Sequence, residues 1–225
     1  WKYVAEKSIL EMGLGLNQTR LNYFRSSTEA NFVNFDSRSR EKSYTASTNF
    51  NWKPNDNLSF NWSFNTAYHQ VSVFDSAQKL GYDHDRLEFS LMNALHYQPN
   101  QNLSLSFLFR SEAYNNHFIA FIPSVGAEYL IGKKQELAVK MNVSRNYHQP
   151  GLNDLYWFPG GNPALRPEDG SSGDLAFSYS KRTDKMDFSG QITGFASLID
   201  DWIVWMPSAS GGSCLGAGNP REWFA

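Results

Sequence analysis

Between Leu58 and Asn65 the chain reads LSFNWSFN, which puts Leu58, Phe60, Trp62 and Phe64 on one face of an extended strand and Ser59, Asn61, Ser63 and Asn65 on the other. The same period of two returns at Leu103, Leu105, Phe107 and Phe109 against Ser104, Ser106 and Arg110. It appears again at Leu137, Val139, Met141 and Val143 against Glu136, Lys140, Asn142 and Ser144. Weaker alternation over 9–24, 42–53, 86–98, 122–131, 173–181 and 186–198 brings the prediction to roughly nine strands.

The predicted connections alternate between two classes. Short turns fall at Lys53-Pro54-Asn55-Asp56, Gln98-Pro99-Asn100-Gln101, Gly132-Lys133-Lys134 and Lys181-Arg182-Thr183-Asp184. Long polar loops are expected over about 25–41, 75–85, 113–121 and 145–170. Two hairpins resemble each other, KPNDNLSFNWSF from Lys53 and QPNQNLSLSFLF from Gln98. An antiparallel up-and-down meander, tight at one end and elaborate at the other, accounts for this arrangement.

Alternation alone does not say which face meets water. A soluble sandwich or small barrel hides its apolar face, whereas a transmembrane barrel turns it outward to lipid and lines its lumen with polar groups. Here the polar face is built from Ser, Asn, Thr and Gly instead of Lys and Glu. Aromatics also gather near the short turns, at Trp52, Trp62, Tyr97, Tyr129 and Tyr179, where a membrane-boundary girdle would place them. Both features favour the transmembrane reading. Nine is an odd number for a closed bacterial barrel, and Ser208–Ala225 does not read as a closing amphipathic strand. The expectation is therefore an all-β, antiparallel, partial barrel, with residues 1–225 a piece of a larger one.

Composition narrows the function. A formal net charge of -2 leaves no basic patch for nucleic acid. The single cysteine, Cys214, rules out an internal disulfide or a multi-cysteine metal site. Trp1–Leu10 lacks the pattern of a signal peptide, and no apolar run approaches a membrane helix. His69, His84, His96, His117 and His148 are scattered without zinc-site spacing. Asp83-His84-Asp85 and Asp200-Asp201 read as solvated loop carboxylates sooner than as a calcium site. Sequons begin at Asn17, Asn57, Asn61, Asn102 and Asn142, but Asn and Ser crowding one face of a strand fall at i and i+2 by geometry. Gly13-Leu14-Gly15 lacks the third glycine and helix of a phosphate loop. No catalytic triad can be singled out, so the expectation is a non-enzyme without metal or cofactor.

One stretch breaks the pattern. Arg145–Gly170 reads RNYHQPGLNDLYWFPGGNPALRPEDG, where prolines fix φ and glycines permit sharp turns, so the chain folds into a shaped loop instead of continuing a strand. Two readings stand side by side. One is a rim element that rigidifies the mouth. In the other, Tyr156, Trp157 and Phe158 offer flat apolar surface while Arg145, His148 and Arg166 pair with anionic or hydrogen-bonding groups of a ligand.

This stretch resembles a segment of TonB-dependent outer-membrane receptors. Arg145-Asn146-Tyr147-His148-Gln149-Pro150-Gly151-Leu152-Asn153-Asp154-Leu155-Tyr156-Trp157 is similar to the family's Arg-aromatic pair followed by Pro, an acidic residue and Leu-Tyr. Gly161-Asn162-Pro163-Ala164-Leu165-Arg166-Pro167-Glu168 is similar to its Gly-Asn-Pro-x-Leu-Lys/Arg-Pro-Glu signature. His148 stands where the family often has Arg, and Asp154 where it often has Glu. Asp200-Asp201-Trp202-Ile203-Val204-Trp205 is similar to receptors of the Bacteroidota cobalamin-receptor type.

The resemblance implies a 22-stranded barrel around an N-terminal plug absent from these residues. It implies active import of a scarce ligand, a siderophore or cobalamin, powered by TonB-ExbB-ExbD through that plug, with outer-membrane lipid around the barrel. The rivals are a passive porin or adhesin barrel, and a soluble carbohydrate-binding β-sandwich.

Overall fold

The computed structural model describes residues 1–25, 35–115, 117–132, 134–158, 160–207 and 215–218. Ten strands form one antiparallel sheet in chain order: β1 (Lys2–Val4), β2 (Ser8–Arg25), β3 (Phe35–Asn55), β4 (Leu58–Asp75), β5 (Leu80–Asn100), β6 (Leu103–Tyr114), β7 (His117–Ile131), β8 (Leu137–His148), β9 (Glu168–Arg182) and β10 (Asp187–Asp200). One short helix, α1 (Leu152–Tyr156), lies between β8 and β9. A separate ribbon pairs β11 (Val204–Pro207) with β12 (Leu215–Gly218). The fold is the expected partial barrel with ten strands in place of about nine, the addition being the three-residue β1, too short to show a period. All ten strands share one sheet in chain order and the other described strands form only a two-stranded ribbon, unlike the two packed sheets of a β-sandwich.

The two look-alike hairpins fold alike. The Asn55 side chain accepts from the amide of Asn57 at 3.0 Å, and the Asn100 side chain accepts from the amides of Asn102 and Leu103 at 2.9 and 3.0 Å. In each, the register shifts just before the turn, between Trp52 and Asn55 and between Tyr97 and Asn100. Pro54 and Pro99 sit inside those irregularities, where a missing N–H costs the ladder nothing.

Burial settles the direction of the faces. The apolar row is exposed, with Met141, Val143 and Phe177 at 48%, 55% and 55%, while the polar row holds Ser43, Ser63, Ala138 and Ala176 at 6%, 5%, 8% and 4%. The sheet curves around its polar face. Small side chains there pair across strands: Ser43 with His69 Nδ1 at 2.9 Å, Ser144 with Ser172 at 3.0 Å, and Ser124 donating to Asn142 at 3.1 Å. Such pairing satisfies polar side chains packed closely on the inner face.

The outward apolar band has aromatic borders. Trp52, Tyr97, Tyr129 and Tyr179 lie toward the short turns, whereas Trp62 sits one outward position further in, stacked on Phe64. At the other border Tyr44 and Tyr68 are cross-strand partners with rings 6.4 Å apart. The eight steps from Tyr44 to Trp52 span roughly 26 Å along the strand, or about 20 Å of height at a tilt near 40°, close to the ~25 Å apolar band of an outer-membrane-type barrel.

The expected long loops are mostly strand. β3 and β5 are 21 residues long and β4 is 18, against the roughly 9–11 needed to cross a bilayer. Residues 75–85 collapse to a tight turn in which Asp75 accepts from the amides of Ala77 and Gln78 at 2.9 Å and Lys79 takes a φ of 55°. Residues 113–121 collapse to a turn at Asn115, φ 47°. Beyond the bilayer both faces touch water or protein, so the period that marks a lipid-facing strand disappears although the ladder continues. Most of Ser208–Ala225, including Cys214, lies outside the described residues, as do 26–34 of the expected loop over 25–41.

Candidate functional site

The interrupted segment begins where two strands part. The β7–β8 ladder ends at Ser124–Ser144, while β8 continues to pair with β9 up to His148–Glu168. Arg145 sits at this fork. Its Nε and Nη2 grip the Asp169 carboxylate at 2.8 and 2.5 Å, and its Nη1 donates to the Phe121 carbonyl on β7 at 2.7 Å. This bidentate bond holds the Asp169 carboxyl below its ordinary range.

From there the chain runs over the inner face of β5 and β6. Buried Arg86 donates to the Pro150 carbonyl at 2.8 Å, and its Nε faces Glu88 at 3.4 Å. Gln149 donates to the same Glu88 at 2.8 Å. Arg110 reaches the Tyr147 carbonyl at 3.5 Å, and the Tyr114 and Tyr147 hydroxyls are 3.2 Å apart. A carbonyl that no strand can pair is thus satisfied by a buried cation.

Asp154 organises the turn beyond Pro150. One carboxylate oxygen accepts from the Gly151 amide at 2.8 Å, which caps α1; the other accepts from the Trp205 indole at 2.8 Å. Its backbone carbonyl takes the Asn162 amide at 2.8 Å. Gly161 lies so close to this turn that a Cβ would stand 2.5 Å from the Trp157 nitrogen. That approach, not a positive φ, is why glycine is needed there. Asn162 accepts from the Ala164 amide at 2.9 Å, Leu165 is buried, and Glu168 accepts from the Ile203 amide at 2.7 Å. The motif residues therefore bond largely to one another and to the chain after β10.

The expected ligand residues divide. Arg145 and Arg166 are ion-paired, Arg166 with Asp201 at 2.8 Å. Tyr156 stacks on His84 with centroids 3.7 Å apart, and Trp157 meets Trp205 edge-on at 5.6 Å. His148 and Phe158 are exposed. Sequence reading missed Tyr82, His84, Arg86, Tyr114 and Trp205 as partners of this segment. Tyr82 hydrogen-bonds the Asn153 side chain, and burial with nearby Glu41 and Asp154 raises its phenol to about 12. The signal available was a Tyr-x-His-x-Arg run of period two from Tyr82 to Arg86, inside what reads as a loop. Asp83 and Asp85 alternate with His84 along β5, and no cluster of three His, Cys, Asp or Glu forms a metal site among the described residues. Above the fork lies a cavity of about 610 Å³ lined by Tyr114, His117, Tyr147, Tyr156, Arg166 and Asp169 among others.

An open antiparallel meander with an apolar exterior, a polar interior and a shaped segment laid across that interior defines part of a wide outer-membrane-type barrel. The chain belongs to the TonB dependent receptor-like, beta-barrel family, which it matches over residues 17–222. That family comprises outer-membrane receptors and transporters, not enzymes. A 72-residue stretch is 39% identical to the vitamin B12 transporter BtuB of Photobacterium profundum, covering 32% of this chain and 11% of that protein. The copper transporter OprC superposes with a TM-score of 0.71 at 12% identity, over 94% of this chain and 39% of its own. The siderophore receptor PirA from Pseudomonas aeruginosa gives 0.65 at 15% identity, over 96% of this chain and 48% of its own. These two likenesses show the fold, and the chain spans less than half the length of each relative.

Proposed function

We propose that residues 1–225 are part of the barrel of an active outer-membrane importer, which captures a scarce siderophore or cobalamin-type ligand and is driven by TonB-ExbB-ExbD through a plug domain outside this chain. The observation that carries this reading is the segment 145–170 lying across the inner face, tied down by Arg86, Arg110 and Trp205, in a chain of this family. A wide polar lumen would leak solutes unless filled, so a shaped segment at its mouth suits capture better than free diffusion. The likeness to BtuB supports a corrinoid, and the fold shared with PirA is compatible with a siderophore.

In this proposal Arg145, Arg166 and Trp157 hold the segment in shape, while His148, Phe158 and the Tyr156 ring meet the ligand. The test is growth of a deletion strain carrying the full-length gene, on cobalamin or a ferric siderophore at limiting concentration, with and without TonB. Rescue that requires TonB is expected. Rescue that persists without TonB would point to a passive channel.

A further inference from the structure

β2 and β3 carry a row of cations on their outward side, just above the aromatic border. Tyr44 marks that border, and the side chains that share its face toward the far end of β3 are Lys42, Arg40 and Arg38. Arg20 on β2 is the register partner of Arg40, and Gln18 is that of Lys42. All four cations are exposed. Gln18, with its amide turned to satisfy both groups, accepts from Arg20 Nε and Nη2 at 3.0 Å. Arg38, Arg40 and Lys42 have no side-chain partner among the described residues.

The outward carboxylates of the adjoining strands stand apart from this row. Asp85 and Asp83 on β5 lie beyond Gln70 and Ser72 of β4, two strand spacings or ~10 Å away, and Asp36 is hydrogen-bonded by Ser76. Like charges directly opposite one another weaken a sheet, and an anion held between Arg20 and Arg40 removes that cost. Lys42 is two residues from Tyr44 and Arg40 is four, which is roughly 7 and 13 Å of strand, or about 5 and 10 Å of height at a tilt near 40°. The polar headgroup layer is about 5–8 Å deep on each side of the hydrocarbon, so both side chains reach it.

We propose that Arg20, Arg38, Arg40 and Lys42 bind the phosphate groups of an anionic lipid in the outer leaflet, with one phosphate seated between Arg20 and Arg40. The planar guanidinium fork bonds two phosphate oxygens at once, and Lys42 adds a point charge nearer the acyl chains. Those chains lie against Leu14 and Leu16, both exposed on the same face below the cations. The short turns of such barrels face the periplasm, which puts this row on the extracellular side. The inference goes beyond import: it rests on the chain being part of an outer-membrane barrel, not on what passes through it.

The test is native mass spectrometry of the delipidated full-length receptor in nonionic detergent. It is titrated with a diphosphorylated disaccharide lipid, the same lipid stripped of phosphate, and inorganic phosphate. The phosphorylated lipid should stay bound, and the stripped lipid should bind at least about tenfold more weakly. Arg20→Gln combined with Arg40→Gln should weaken the phosphorylated lipid by about tenfold or more. Lys181→Gln combined with Lys185→Gln, which removes exposed cations at the short-turn end, should leave it unchanged. Heat-modifiable migration of the barrel checks that each variant folds. Equal binding of the two lipids, or no loss in the arginine variant, would overturn the site. Displacement of the lipid by inorganic phosphate would overturn the lipid assignment in favour of a soluble anion.

Discussion

On β4 the outward side chains from the Asp56–Asn57 turn onward are Leu58, Phe60, Trp62 and Phe64, and the inward ones are Ser59, Asn61, Ser63 and Asn65. Past Tyr68 the same strand changes: outward Gln70 and Ser72 are exposed polar residues, with Phe74 exposed after them near the turn, and inward Val73 is buried. The backbone ladder is continuous through the change, pairing with β3 and β5 along its length. Buried apolar side chains therefore lie on the inward face in the upper part, whereas in the lower part the apolar row faces outward to lipid. Val73, Ile122 and Leu165, all in the upper part, are most of the small buried apolar set. One strand thus obeys the rule of a membrane protein at one end and of a water-soluble one at the other.

The sharpest way to break this comparison is to place the same charge at outward positions of both halves. Phe107→Arg, within the band, should destabilise the barrel by about 2–4 kcal/mol. Ser72→Arg, outward but above the band, should stay within about 0.5 kcal/mol. Denaturant unfolding in detergent or lipid checks both, and equal costs would erase the distinction between the halves.

Next in size is the tie between segment and sheet. Arg86→Met removes the donor to the Pro150 carbonyl, and loss of a charged hydrogen bond of this kind costs about 1.5–3 kcal/mol. Limited proteolysis should then cut within 151–167 while the strands remain protected. Uniform protection would show that the segment does not depend on Arg86.

The smallest effect belongs to Arg145–Asp169. Because the folded-state carboxyl lies below its ordinary value, its contribution is fully present above the usual carboxylate pKa of about 3.9 and fades as pH falls through the lower folded value. The pair is partly exposed, so screening limits it to at most ~1 kcal/mol. Asp169→Asn should flatten stability against pH below about pH 4, and an unchanged profile would separate the pair from stability.

How much of this was legible in the sequence depends on the same division. The strands at 58–65, 103–110 and 137–144 were readable because lipid on one side and lumen on the other impose a period of two. The upper ends of β3, β4, β5, β6 and β7 were not, since two wet or protein-covered faces impose none. The turns at Lys79 and Asn115 also carry no glycine or proline to mark them. The Arg145–Gly170 interruption was plain from its prolines and glycines. Its partners were not, because Tyr82, His84, Arg86, Tyr114 and Trp205 meet it only through tertiary structure. For that reason Arg145 and Arg166 read as ligand groups, whereas the structure pairs them with Asp169 and Asp201.

The inversion along β4 is tested most directly by single-cysteine spin labels in a full-length protein in bilayers from which Cys214 and any other native cysteine have been replaced by serine. Labels would go at Phe60, Trp62, Phe64, Gln70 and Ser72, and collision with oxygen would be compared with collision with a water-soluble nickel chelate. Oxygen dominance at Phe60→Cys, Trp62→Cys and Phe64→Cys, turning to chelate dominance at Gln70→Cys and Ser72→Cys, is the predicted result. Chelate access at all five positions would contradict it, because the apolar face would then not meet lipid.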